Sequence, residues 1–244
     1  MNRRLRVNGR IEMKPNPAGA MDRDVHVLKV TVGHSQPMAS LFAYACHSRS
    51  LTSRNRQVSG DVLGIAEQFV ETTLGSKTIS PAFAAASGDI DPRYVVGTFD
   101  ADRAAGPTTV EQGNRLGEEV VRVFRTITDT SDMAAIRTKA ERVAAPAKNK
   151  DQVKSVGITA ARVGEVAFLA MDCEALVDVG KAIQARSPFR HTFLLTNCNG
   201  GSGYLPPAGL YPEGGYEVEI SGFAPEAAAR VVDRAVEMLR QLRR

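Results

Sequence analysis

The chain has 244 residues, enough for one large or two small domains with a substantial buried core. Hydrophobic residues at 43% and charged residues at 24% place it among ordinary globular proteins, and its formal net charge of +4 is mild. No run approaches the ~18 apolar residues of a membrane-spanning helix.

The basic residues are scattered, with small clusters at Arg3-Arg4-Arg6 and Arg240-Arg243-Arg244. These read as solvated chain ends, and no RNA or DNA motif accompanies them, so no nucleic-acid partner is expected. Cys46, Cys173 and Cys198 form no CxxC pair, which argues against a disulfide framework. They read as small residues beside a site rather than catalytic thiols, because no neighbour offers an evident base. The opening Met-Asn-Arg-Arg-Leu-Arg has no apolar segment behind it and is not a signal peptide. The chain as given is expected in the cytoplasm, and outside the cell if a longer N-terminus precedes it.

Taken in order, Asn8-Gly9 sits between two apolar-polar runs and predicts a tight hairpin. Residues 14–21 read as a loop and 24–32 as a strand. After a turn at 33–37, the apolar run 38–46 reads as a buried strand, the antiparallel partner of 24–32, with His47 at its tip. Ser59 or Gly60 can cap a helix over 61–74, stopped by Gly75. A short strand at 81–86 ends in Ser87-Gly-Asp-Ile-Asp-Pro92, and 94–107 reads as an irregular loop. A long helix follows at 109–128.

Residues 133–146 are ambiguous between helix and strand. Strands at 155–161 and 165–171, a helix at 175–185 and a strand at 191–196 follow. The last of these strands ends in the glycine-rich run 197–203. Residues 204–216 are rich in Gly and Pro, and 224–242 form an amphipathic helix. The pattern predicts a single α/β domain over 1–244, a mixed β-sheet with helices packed on it.

Several apolar runs end in an acid, an amide or glycines, and strand ends in open α/β sheets are where ligands bind. These ends are expected to converge on one site. His47 follows a buried strand and reads as a structural residue or as a ligand or base. Asp61 complements a helix dipole or orients His47. Asp89 and Asp91 are a paired acid site or a turn before Pro92. Glu174 stands at a strand-to-helix junction, as a first-turn acid or a carboxylate ligand. The run 197–203 offers backbone N–H groups to an anion, and Tyr216 lies beside flexible backbone. There is no HExxH, GxSxG or Cys/His zinc cluster.

Asn2-Arg3-Arg4, residues 16–22, Tyr44-Ala-Cys-His47, Ser59-Gly-Asp61 and Ser87-Gly-Asp-Ile-Asp-Pro92 come in a particular order. Asp172-Cys-Glu174, residues 199–206 and Glu213-Gly-Gly-Tyr-Glu217 continue it. Together they resemble the N-terminal catalytic domain of the neutral/alkaline non-lysosomal ceramidases. The resemblance implies a ceramidase-like fold and a zinc-dependent amide hydrolase acting on a small-molecule or lipid amide. By motif, His47, Glu174 and Tyr216 match zinc-binding residues. Asp61 and Asp91 are the candidate catalytic acids, and Asn199, Gly200 and Tyr204 the candidate substrate-binding residues.

Three departures shape this expectation. The family's upstream His-Thr-His-like segment has no counterpart here, and His26, His34 and His191 do not match it. The chain is therefore expected to be an N-terminally incomplete version of that domain. Asp91 stands where ceramidases carry a serine. The family's C-terminal immunoglobulin-like domain has no counterpart. The alternative reading is a truncated or degenerate non-catalytic homologue, a binding or partner-dependent module. Homo-oligomerisation would cover a sheet edge left unpaired.

Overall fold

Asn8 and Gly9 take left-handed backbone angles, φ 48° and 81°, which asparagine tolerates and glycine adopts freely. They close the expected hairpin between β1 (Asn2–Val7) and β2 (Arg10–Asn16). The computed structural model describes residues 1–33, 35–52, 55–75, 77–95, 105–132 and 134–244, without the side chains of 105–107. His34 in the expected turn, Met133, and residues 96–104 of the expected loop lie outside the described residues. The chain divides into two compact units. The first holds Arg23–Ala84 and Asp91–Thr130 with Met1, and the second Asn2–Asp22, Ala85–Ile90 and Ser131–Arg244.

In the first unit β3 (His26–Val32) pairs antiparallel with β4 (Gln36–Tyr44), and β5 (Ala82–Ala84) joins β4 in parallel. The apolar run before His47 is therefore a central strand. Its regular pairing ends at Tyr44, two residues earlier than the run itself suggests. α1 (Asp61–Leu74) and α2 (Ala105–Thr126) complete the unit. Val62, Ala66 and Val70 of α1 and Leu116 and Val120 of α2 form a core with Phe42 of β4.

The two helices approach closely because Gly113 and Gly117 of α2 carry no side chain. A Cβ on Gly113 would fall 2.5 Å from Ile65, and one on Gly117 would fall 2.7 Å from Phe69.

In the second unit the sheet order is β10-β8-β7-β6. β6 (Ile136–Ala145), β7 (Lys154–Val163) and β8 (Val166–Met171) pair antiparallel, each with the next. β9 (Glu174–Ala175) and α3 (Val177–Arg186) follow, and β10 (His191–Leu195) returns parallel to β8. The sheet is mixed, as the alternation of elements predicts. β11 (Tyr204–Leu205) pairs in parallel with β9, a 3₁₀ turn spans Ala208–Glu213, and α4 (Tyr216–Ile220) and α5 (Ala227–Arg243) close the chain.

α5 buries Val231, Ala235, Met238 and Leu239 in one core with Val156, Ile158, Leu169 and Met171 of the sheet. Alternate residues of β7 and β8 enter that core, as a period of two requires.

The ambiguous stretch resolves as strand β6. Ten consecutive residue pairs with β7 outweigh the helix preference of its alanines. Cys46, Cys173 and Cys198 are free thiols. Burial pushes the Cys46 thiol up to about 12 and raises Cys173 and Cys198 as well, so none is a ready nucleophile at neutral pH. Among the described residues no helix is long and apolar enough to cross a membrane.

The α1–α2 contact is testable at Gly113. Alanine in a helix interior gains about 1 kcal/mol of propensity over glycine. At Gly113 its methyl would meet Ile65 and also the Val62 carbonyl at 3.0 Å, and backbone does not yield cheaply. Overpacking costs about 1–3 kcal/mol. Gly113→Ala should therefore lower stability in urea-induced loss of helical circular dichroism, and a more stable variant would show that the contact is loose.

Candidate functional site

The expected site residues divide between the two units. In the first, β4 delivers Cys46, buried, and His47, half-buried, into a loop that runs to α1. Asp61 organises that loop. Its carboxylate accepts the N–H groups of Ser50 at 2.9 Å, Leu51 at 2.9 Å and Val62 at 2.7 Å. Asp61 is 4% exposed and has φ 52°, a left-handed angle that aspartate adopts more readily than most residues. Its own N–H donates to Ser59 Oγ at 3.0 Å. Ser48 Oγ donates to the Gly60 carbonyl at 2.7 Å, a second tie between loop and helix. Asp91, also buried, faces Arg49 of the same loop at 3.3 Å. Asp61 and Asp91 thus both hold the segment that follows His47.

In the second unit β8 ends at Asp172-Cys173-Glu174. Asp172 accepts the Gly157 N–H at 2.9 Å and the Ser202 hydroxyl, and lies 3.3 Å from Arg142. The Ser202 N–H donates to the Asp172 carbonyl at 2.7 Å. The N–H groups of Asn197 and Cys198 go to the carbonyls of Cys173 and Met171. The run 197–203 therefore spends the donors of Asn197, Cys198 and Ser202 on clamping the β8 end. Asn199 and Gly200 stay exposed at its crest, with Asn199 at φ 63°.

The same unit brings Tyr204 and Tyr216 around one cation that sequence reasoning placed in solvent, with Glu174 bonded to Tyr204. Arg3 is 1% exposed and Arg4 6% exposed, so these two members of the first arginine cluster are not solvated, whereas Arg6 is exposed. Arg3 Nε donates to Glu217 at 2.7 Å, and Arg4 Nη1 donates to the other oxygen of Glu217 at 2.8 Å. Arg3 Nη2 donates to the Gly88 carbonyl at 2.8 Å and to the Tyr204 hydroxyl at 3.1 Å. The Arg3 guanidinium lies 5.7 Å from the Tyr204 ring centre and 5.8 Å from that of Tyr216. The two rings meet edge to face at 5.8 Å.

Glu174 pairs with Tyr204 in the β9–β11 ladder, and its carboxylate also bonds the Tyr204 hydroxyl. Burial raises the Tyr204 phenol to about 12; the Arg3 charge works against that shift and the Glu174 carboxylate adds to it. Tyr204 is therefore protonated at neutral pH, a donor between a cation and a carboxylate. It is 8% exposed, whereas Tyr216 is 44% exposed.

Backbone geometry fixes where Glu174 sits. Asp89 accepts the Val177 N–H at 2.9 Å and the Asn2 side-chain amide at 2.9 Å. Burial raises its carboxyl above the usual range despite these donors. Gly88 lies so near this segment that a Cβ would come 2.8 Å from the Glu174 carbonyl. Gly215, at φ 91°, lets Tyr216 leave the turn, and a Cβ there would meet Ile11 at 2.7 Å.

Arg3, Arg4 and Glu217 are the residues missed by sequence reasoning. Their signal was the quoted Asn2-Arg3-Arg4 and Glu213-Gly-Gly-Tyr-Glu217 motifs, read separately. The zinc implied by the resemblance fares differently. Among the described residues no three His, Cys, Asp or Glu side chains are grouped as a metal ion would require. His47 belongs to the first unit and Glu174 and Tyr216 to the second, and no chemical step is derived through zinc.

The fold is similar to that of a neutral ceramidase from Pseudomonas aeruginosa, with a TM-score of 0.77 and 16% sequence identity. The match covers 93% of this chain and 48% of that one. A ceramidase complexed with C2 is similar to the same degree, with a TM-score of 0.76, 16% identity, and coverage of 93% and 50%. The chain thus shares the fold of these ceramidases, as expected from its ordered motifs, and spans about half the length of these structures. No family model and no curated protein matches it by sequence.

Two predictions follow from the bonds around Asp61 and Glu217. Removing a buried acceptor leaves donors unsatisfied at about 1–3 kcal/mol each. Asp61→Ala should lower stability by about 3 kcal/mol in urea denaturation, and Asp61→Asn by less, because its carbonyl oxygen still accepts. Breaking a buried ion pair costs about 3–5 kcal/mol. Glu217→Ala, which strands two buried guanidinium groups, should fall in or above that range. A change below about 1 kcal/mol in either alanine variant would show that the network is not stabilising.

Proposed function

We propose that the chain is a ceramidase-like hydrolase that cleaves the amide bond of an N-acyl substrate, a small molecule or a lipid. The observation that carries this reading is the fold likeness to neutral ceramidases over 93% of the chain. The chemistry of Glu174, Tyr204 and Tyr216 supports it. Glu174 is partly exposed and takes a proton from an attacking water as general base. Once Glu174 holds the proton, the Tyr204 hydroxyl is released from that carboxylate and donates toward the negative charge that grows on the carbonyl oxygen. The proton held by Glu174 passes to the leaving nitrogen, so the amine departs neutral. Tyr216, the exposed ring of the pair, gives an apolar and aromatic wall for the acyl portion.

A second reading, a non-catalytic binding module, is favoured by one observation. The carboxylates of Asp61, Asp89 and Asp91 are each engaged by partners that hold their own loops. Such acids are structural clamps, which a non-catalytic relative would retain.

Hydrolysis of a short-chain N-acyl amide with a fluorogenic amine separates the two readings. It is run with wild-type chain in chelator-treated and in zinc-supplemented buffer, so that metal dependence is read in the same assay. A positioned base contributes about 10²–10⁴-fold. Glu174→Gln should therefore lower kcat by at least about 100-fold with the fold intact. Well-folded wild-type protein that releases no amine in either buffer would leave the binding module as the reading.

A further inference from the structure

We propose that Arg3 is the positioning residue of the Glu174–Tyr204–Tyr216 face, one guanidinium that fixes these three side chains relative to one another. The inference deepens the hydrolase reading and rests on it for its catalytic arm. Arg3 comes from β1, far in sequence from all three residues, and is 1% exposed. Its Nε is anchored on Glu217 at 2.7 Å, in α4 next to Tyr216. Its Nη2 reaches the Tyr204 hydroxyl at 3.1 Å and the Gly88 carbonyl at 2.8 Å.

Gly88 in turn bonds the segment that carries Glu174, through its N–H on the Ala175 carbonyl at 2.9 Å. The Arg3 N–H donates to the Asp89 carbonyl at 3.0 Å, so backbone and side chain grip the same turn. The guanidinium carbon of Arg3 lies within 6 Å of both ring centres, at 5.7 and 5.8 Å.

These demands select arginine. Only a planar fork with five donors can meet a carboxylate, a phenol and a carbonyl at once while packing beside two rings. A lysine supplies the charge as a point and cannot span all three acceptors. Arg3 does not touch the scissile bond in this account. It acts through Tyr204 and Glu174, and Arg4 supplies the second half of the Glu217 anchor at 2.8 Å.

The chain has 5 tyrosines and no tryptophan, so its near-ultraviolet circular dichroism above the phenylalanine bands reports tyrosine surroundings without interference from tryptophan. Arg3→Lys in the full chain should keep the far-ultraviolet spectrum and lose a substantial part of the tyrosine band. A misplacement of about 1 Å costs on the order of 100-fold in rate, so kcat should fall by about that factor while KM holds within about twofold. Arg3→Ala should regain part of both signals on addition of millimolar guanidinium, and not on addition of ammonium.

A wild-type tyrosine band in folded Arg3→Lys overturns the proposal. So does a band that falls only in proportion to lost secondary structure. If wild-type protein proves inactive, the hydrolase reading fails while the tyrosine band still decides the role of Arg3. If Arg3→Lys does not fold, Tyr204→Phe deletes only the hydroxyl that Arg3 holds. It should alter the band beyond the loss of one tyrosine, and an unaltered remainder overturns the proposal.

Discussion

One carboxylate holds two buried cations. Glu217 meets Arg3 through one oxygen and Arg4 through the other, at 2.7 and 2.8 Å, and all three side chains are nearly closed to solvent. Water cannot solvate these charges, so their mutual geometry has to. The Gly214 carbonyl accepts from Arg4 at 2.8 Å, and the Gly88 carbonyl and the Tyr204 hydroxyl accept from Arg3. The N-terminal hairpin is thereby fastened to the turn at Gly88 and to the start of α4. The faces that carry Glu174, Tyr204 and Tyr216 follow from that fastening.

A second regularity runs through both units. Buried aspartates are used as loop clamps. Asp61 gathers three N–H groups around the entry to α1, Asp89 holds Val177 at the start of α3, and Asp172 ties β7 to the run 197–203. Asp61 opens α1, Asp172 stands just past β8, and Asp89 reaches the first N–H of α3, all places where backbone donors lack regular partners. The same placement makes a carboxylate look catalytic in a sequence. At the end of a strand, a clamp and a general base are written with the same letter, and only the destination of their hydrogen bonds separates them.

That ambiguity explains what could be read from the sequence. The Asn8-Gly9 hairpin, the strand before His47, the helix over Asp61–Leu74 and the mixed sheet were legible because local pattern decides them. β6 was not legible, because its alanines suit a helix and its partner strand is what settles it. Arg3 and Arg4 were misread because a buried guanidinium and a solvated one look alike until the partner is known. That partner, Glu217, lies more than 200 residues away in sequence. Tyr204 and Tyr216 were each singled out by motif, yet their edge-to-face contact beside the same distant arginine is visible only in the fold.

The Arg3–Glu217 pair organises the second unit, and a double-mutant cycle on stability tests this most directly. Arg3→Met and Glu217→Gln are made singly and together, and their unfolding free energies are compared in urea. Residues that interact directly show coupling of about 0.5–3 kcal/mol, and distant ones add to within about 0.5 kcal/mol. The account predicts a double variant less destabilised than the sum of the singles by at least about 1.5 kcal/mol. Strict additivity would contradict it.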